Sequence, residues 1–117
     1  MRRFLVLLVG LAVLTTACGD DDPGPLTVYS GRNEALVGPL IERFTSETGI
    51  AVEVRYGDSP ELAATIREEA GNSPADVFFA QDPASLGAIA AAGLFDPLPS
   101  ELMSAVPANF SDPGARW

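Results

Sequence analysis

Strand-like and helix-like patterns alternate along most of this chain, and no other feature of the sequence constrains its fold more. Residues 26–30 (LTVYS) are β-branched and aromatic, as in a strand. Residues 36–44 then repeat apolar side chains at helical spacing, and Gly49 follows as a helix stop. The same succession is predicted twice more, with strands over 50–56 and 75–80 and helices over 61–70 and 82–92. Strands that alternate with helices predict an α/β fold, a three-layer lobe whose mainly parallel sheet is covered by helices.

Three local details extend this prediction. Pro39 lies inside the first predicted helix, where a proline lacks the N–H and crowds the preceding turn, so we expect a kink or a start nearer Gly38. Residues 75–80 (ADVFFA) are almost wholly apolar, which predicts a strand covered on both faces. Either Asp58 or Ser59 is expected to cap the second helix, and a short helix is expected over 101–106.

Two loops are the candidates for a binding site. In open parallel sheets, ligands lie beyond the carboxyl ends of the strands, where helix N-termini point. This rule selects residues 30–34 after the first predicted strand, and Gln81 with Asp82 after the third. The first loop combines a hydroxyl, a glycine, a guanidinium, an amide and a carboxylate, in the order Ser30, Gly31, Arg32, Asn33 and Glu34.

Each of these residues has a functional and a structural interpretation. Arg32 with helix N–H groups can hold a small anion, and Glu34 can hold a hard cation. The same loop can equally be a turn in which Asn33 caps the helix, and Asp82 can cap the helix that follows it. Tyr29 offers a phenolic oxygen suited to ferric iron, but its ring is also typical of packing within a sheet.

Composition excludes several classes of function. The chain has 117 residues with 16 acidic and 7 basic side chains, a net charge of −9, one Cys and no His. An acidic surface does not favour nucleic acid. Without His there is no Ser-His-Asp triad, and one Cys gives neither an intrachain disulfide nor a His/Cys zinc site. Glu68 and Glu69 are adjacent and diverge on a helix, so no catalytic carboxylate pair is evident, and we expect no enzymatic activity.

The N-terminus has the organisation of a secretory signal peptide, predicted over 1–17. Arg2 and Arg3 precede an apolar stretch of eleven residues, 4–14, and small residues follow. Eleven residues are too few for a membrane-spanning helix, which needs about 20. Removal of this segment leaves five Arg against sixteen acids, a net charge of −11. Residues 18–25 are rich in Asp, Pro and Gly and predict a linker.

Residues 14–18 (LTTAC) resemble the lipobox of bacterial lipoproteins, with Thr15 where leucine is usual. The resemblance implies that Cys18 is lipidated and holds an exported protein on the cell membrane, facing the periplasm or the extracellular side. The linker would then be lipid-anchored. Plain export with an unpaired Cys18 thiol is the alternative.

Five blocks, in order and spacing, resemble the ferric-iron-binding substrate-binding proteins of ABC transporters, in the type-2 solute-binding family. The blocks are 26–34 (LTVYSGRNE), 44–49 (FTSETG), 54–57 (VRYG), 73–82 (SPADVFFAQD) and 91–94 (AAGL). The resemblance implies two α/β lobes that are joined by hinge strands and close on a ligand in the cleft. It also implies that 26–117 is the N-terminal lobe, incomplete, of such a protein.

The resemblance further implies a function and its partners. The protein would be a monomeric substrate-binding lipoprotein that delivers Fe³⁺, with a synergistic anion such as carbonate, to an ABC transporter permease, and it would need no catalytic cofactor. The chain departs from the family at three ligand positions: Asn33, Glu34 and Gln81 stand where some members have His, Tyr and Glu. Glu34 therefore remains as the metal-ligand candidate, and Arg32 as the partner of the anion.

Two other functions stay open on the sequence. One is an importer subunit for another small anion or a thiamine-like ligand, with Arg32 as the main contact. The other is a surface lipoprotein that acts as an interaction module without transport.

Overall fold

The computed structural model describes residues 24–117. The predicted signal peptide, Cys18 and most of the predicted linker lie outside the described residues. Strands and helices alternate in the order β1 Leu26–Ser30, α1 Glu34–Thr48, β2 Val52–Tyr56, α2 Ser59–Glu69, β3 Val77–Phe79, α3 Pro83–Ala91 and α4 Ser100–Ser104, with 3₁₀ turns at Ala70–Asn72 and Ala108–Phe110. Within this part of the chain, no helix has the length and apolar character needed to cross a membrane.

The three strands form one parallel sheet in the order β2-β1-β3. The central strand β1 places Tyr29 beside Arg55 of β2 and Phe78 of β3. Because β1→β2 and β2→β3 run in opposite directions across the sheet, right-handed crossovers place α1 on one face and α2 on the other. The predicted α/β class with a helix-covered parallel sheet is confirmed.

The core lies between the sheet and the pair α2 and α3. Its buried residues are Tyr29, Leu62, Ala63, Ile66 and Ile89, and Phe78 packs against them. Leu62, Ala63 and Ile66 are the positions of α2 that face the sheet. They follow helical spacing because only one stripe of α2 meets the sheet. Helix α1 contributes one buried residue, Val37.

The first helix begins earlier than predicted. Helix α1 starts at Glu34 and runs through Pro39, so the alternative of a start nearer Gly38 is wrong, and that of a kink at Pro39 stays a prediction. Asn33 caps the helix by accepting a hydrogen bond from Leu36 N–H at 3.1 Å, and Gly49 ends it with φ 76°. Pro39 removes only one intrahelical donor, and the two capped ends hold the remaining turns in place.

The third strand is shorter and more exposed than predicted. β3 has three residues and forms an edge of the sheet, and its Val77 and Phe79 are each 42% exposed. The prediction of cover on both faces is therefore wrong for the described residues. Phe78, which points the other way, packs against the core that α2 and α3 form. The apolar run indicated a strand but not how many of its faces are covered.

Candidate functional site

The loops that follow the three strands meet at one edge of the sheet. Gly57 N–H donates to Ser30 O at 3.1 Å, and Gly31 N–H donates to Phe79 O at 2.8 Å. The carboxyl end of the central strand β1 is therefore hydrogen-bonded to the segment after β2 and to the last residue of β3. The structure thus brings together the two loops that the sequence selected, and it adds the turn after β2.

Ser30 shapes the first loop from within. It is fully buried, its Oγ–H donates to Arg32 O at 3.0 Å, and the same oxygen accepts from Arg32 N–H at 3.2 Å. A buried hydroxyl that is satisfied by its own loop stabilises the turn. Ser30 thus holds the backbone of the loop, and its binding role stays a prediction.

Three residues that follow the three strands contact one another, and we call Gly31, Ser59 and Gln81 the loop junction. Gln81 Nε2–H donates to Gly31 O, and Gln81 N–H donates to Ser59 Oγ at 2.9 Å. Ser59 is 4% exposed, and a Cβ built on Gly31 would lie 3.0 Å from Ser59 Cβ and 3.2 Å from Ser59 Cα. Glycine is thus required here by close approach.

Ser59 is the site residue that the sequence analysis missed as a functional candidate. It was considered only as a helix cap, whereas the cap is Asp58 and Ser59 begins α2. The sequence could have indicated it, because Ser59 closely follows the carboxyl end of β2. The rule that ligands lie beyond the carboxyl ends of parallel strands applies there as it does to the other two loops.

Two of the predicted site residues serve as helix caps. Asn33 Oδ1 accepts from Leu36 N–H, and Asp82 Oδ1 accepts from Ser85 N–H at 2.7 Å while its Oδ2 accepts from Ser85 Oγ at 2.9 Å. The hydrogen bond from the Ser85 backbone, followed by that from its hydroxyl, lowers the pKa of the Asp82 carboxyl. Both caps set the N-termini of α1 and α3 beside the loop junction.

Arg32 and Glu34 are the charged groups that face solvent at this edge. Both are exposed, and within residues 24–117 neither takes part in an ion pair. One offers five N–H donors suited to an oxyanion, and the other offers carboxylate oxygens suited to a hard cation. No group of three or more His, Cys, Asp or Glu is assembled in the described part of the chain, so Glu34 has no full set of such metal ligands there.

Tyr29 is not brought together with these residues. It is 3% exposed, its hydroxyl donates to Glu69 Oε1 at 3.0 Å and accepts from Arg55 Nη1 at 3.3 Å, and the Arg55 guanidinium lies 5.1 Å from its ring centroid. Glu69 also accepts from Ser73 Oγ at 2.7 Å. These contacts favour the packing interpretation of Tyr29, because its oxygen is engaged on the α2 side of the sheet.

A cavity of about 490 Å³ lies away from the loop junction. It is lined by residues at the amino end of β3, among them Ala75 and Asp76, and by Arg116 and Trp117. Arg116 pairs with Asp112 at 2.8 Å and donates to Ala90 O at 3.1 Å. The hydrogen-bonded loop edge, and not this cavity, holds the residues that the sequence selected.

Comparison with known proteins identifies similar chains. The family model for bacterial extracellular solute-binding proteins matches residues 26–115. The major ferric iron-binding protein of Neisseria gonorrhoeae is 33% identical over 102 residues, which are 87% of this chain and 29% of that protein. The chain therefore spans less than a third of the length of this relative.

Two solved structures share the fold. Iron-bound HitA from Pseudomonas aeruginosa matches with a TM-score of 0.76 and 33% identity, over 80% of this chain and 30% of that one. The Trichodesmium protein IdiA (FutA), in complex with iron and citrate, matches with a TM-score of 0.73 and 34% identity over the same shares. Each similarity covers one parallel lobe.

Proposed function

Because the chain belongs to the bacterial extracellular solute-binding proteins, we propose that it forms the N-terminal lobe of a two-lobe protein that binds ferric iron and delivers it to an ABC transporter permease. One observation carries the proposal: the parallel lobe superimposes on that of an iron-bound relative with a TM-score of 0.76 at 33% identity. The proposed activity is binding and delivery, without a catalytic step.

Glu34 and Arg32 are the proposed ligand contacts of this lobe. Ferric iron is a hard cation that takes several oxygen ligands, and Glu34 supplies a carboxylate at the loop edge. The Arg32 guanidinium suits a synergistic oxyanion, such as carbonate or citrate, through charge-assisted hydrogen bonds. We propose that ligands outside residues 24–117 complete the coordination of the metal.

The other candidates of the loop edge act by shaping it. Ser30 and Gly31 set the turn, and the caps Asn33 and Asp82 direct the N-termini of α1 and α3 toward the ligand. Helix N-termini favour negative charge, so they support an anion that accompanies the metal.

Titration of the full-length gene product with ferric iron tests this function. Addition of ferric citrate is expected to produce saturable iron binding and a visible ligand-to-iron charge-transfer band. Glu34→Gln should weaken iron binding about tenfold or more, since a charged ligand becomes neutral. Glu42→Gln, an exposed carboxylate on α1, serves as the matched control. A colourless protein without iron affinity would overturn the proposal.

A second candidate function is favoured by the exposed guanidinium of Arg32, which forms no ion pair within residues 24–117 and directly precedes the capped N-terminus of α1. These features suit a small anion without a metal. Stabilisation of the protein in thermal melts by phosphate, sulfate or a thiamine-like ligand, but not by ferric iron, would support this candidate. Loss of that stabilisation in Arg32→Gln would assign the contact.

The proposed location is the outer face of the cell membrane, with a lipid on Cys18. Acyl chains stabilise membrane attachment by about 0.8 kcal/mol per buried CH₂. Cys18→Ser should therefore move the protein from the membrane fraction to the soluble exported fraction. Equal membrane retention of the variant would contradict lipid anchoring. We further propose that the protein is monomeric, which sedimentation of the delipidated form tests.

A further inference from the structure

The loop junction leads to an inference that rests on the proposed function and refines it. We infer that Gln81 is a positioning residue that fixes the peptide between Gly31 and Arg32, and that it is not itself a ligand of the transported metal. The inference concerns the part of the site that directs the Arg32 side chain.

Gln81 is held by the loop after β1 and by the first residue of α2. Its side-chain Nε2–H donates to Gly31 O, and its backbone N–H donates to Ser59 Oγ at 2.9 Å. Ser59 is buried, and it lies so close to Gly31 that no side chain fits between them. The amide of Gln81 is therefore placed against the carbonyl of Gly31 by tertiary packing.

The peptide that Gln81 contacts is held at both ends. Gly31 O accepts from Gln81, and the N–H of the same peptide, that of Arg32, donates to Ser30 Oγ at 3.2 Å. In a trans peptide the C=O and N–H point in opposite directions, so these two bonds together prevent rotation of the peptide plane. The orientation of this plane sets the direction in which the Arg32 side chain leaves the backbone.

The ligand and positioning roles of Gln81 predict opposite effects for one substitution. Gln81→Glu keeps the length of the side chain but replaces the N–H donor with a carboxylate, which can only accept. If Gln81 positions the peptide, the variant loses the bond and places a negative charge against Gly31 O, so binding weakens. If Gln81 is a metal ligand, a carboxylate is the better ligand for a hard cation, so binding tightens.

In the experiment, ferric citrate is titrated into the full-length gene product and into three variants of it. Gln81→Glu and Gln81→Ala should each weaken iron binding roughly 3- to 10-fold, the effect of one lost hydrogen bond. Asn72→Asp, which makes the same amide-to-carboxylate change on the exposed 3₁₀ turn, should bind as the unchanged protein does. Equal or tighter binding by Gln81→Glu would overturn the inference.

Hydrogen exchange provides a readout that needs no ligand. In Gln81→Ala the Arg32 amide should exchange at least about 3-fold faster, because its peptide loses one of two constraints, while the melting temperature changes little. Ser59→Ala should likewise speed exchange at the Gln81 amide. An unchanged Arg32 exchange rate would refute the positioning role even if iron binds. Absence of iron binding by the unchanged protein would refute the proposed function alone.

Discussion

Replacement of Gly31 by alanine is the perturbation that the structure constrains most closely. The added Cβ would meet Ser59 Oγ well inside van der Waals contact, and it would lie 3.0 Å from Ser59 Cβ and 3.2 Å from Ser59 Cα. The hydroxyl alone can rotate away, but the other two atoms belong to the first turn of α2. Relief therefore requires a shift of the backbone at the start of the helix.

The expected destabilisation has two parts. Overpacking of a site without free volume costs about 1–3 kcal/mol. Displacement of the Ser59 hydroxyl also removes the hydrogen bond from Gln81 N–H, which contributes about 0.5–1.5 kcal/mol. We therefore expect Gly31→Ala to lower the free energy of unfolding by about 1.5–4.5 kcal/mol, a large share of the 5–15 kcal/mol typical of a domain.

Urea denaturation followed by far-UV circular dichroism measures this change. Gly87→Ala is the matched control: Gly87 lies within α3, and a Cβ there would meet nothing within 4 Å. The same substitution should stabilise the protein at that position by about 0.5–1 kcal/mol, since alanine loses less entropy in a helix.

A double variant identifies the cause. In Ser59→Ala the hydroxyl and its hydrogen bond are already absent, so Gly31→Ala should cost about 0.5–1.5 kcal/mol less in that background. Gly31→Ala with unchanged or increased stability would refute the argument from close approach. Strict additivity with Ser59→Ala would show that displacement of the hydroxyl contributes nothing to the destabilisation.

Three further predictions concern the core, the acid response and the polar network. Ile89 is 0% exposed, so Ile89→Ala should lower the free energy of unfolding by about 2–5 kcal/mol in urea titrations. The pKa of Asp82 is lowered by Ser85, so its stabilisation is present above the unfolded pKa of about 3.9 and is lost as pH falls through the lower folded pKa. Asp82→Asn, which keeps a capping oxygen, should flatten the decline of the melting temperature below about pH 4. Tyr29→Phe removes the hydrogen-bond donor to Glu69 and should lower the free energy of unfolding by about 0.5–1.5 kcal/mol. An unchanged free energy of unfolding in urea denaturation would contradict a structural role of the hydroxyl.

Elements defined by neighbouring residues were predictable from the sequence. The bounds of β1, the Asn33 cap and the Gly49 stop agree with the structure because each depends on hydrogen bonds and dihedral preferences within four residues. A start of α1 nearer Gly38 was one of two outcomes expected from Pro39, and it is wrong because the capped turns on either side outweigh the preference of one residue. Local physics also predicted Asp82 as a cap.

Features that depend on sheet order were not predictable in this way. The burial predicted for both faces of β3 was too high, because an apolar run does not indicate whether a strand is central or at an edge of its sheet. The choice between ligand and packing roles for Tyr29 was left open because its partner Glu69 lies 40 residues away.

The sequence by itself determined the α/β alternation, the helix caps and the two loops that bear polar groups, since these follow from periodicity and from short-range hydrogen bonding. Only the tertiary structure decided that the strand order β2-β1-β3 brings Gln81 to Gly31, 50 residues earlier, and to Ser59, 22 residues earlier. The physical reason is that such contacts arise from the packing of strands and helices that are distant in the chain. The spacing of hydrophobic residues indicates which segments form strands and helices, but it does not indicate which of them pack against one another.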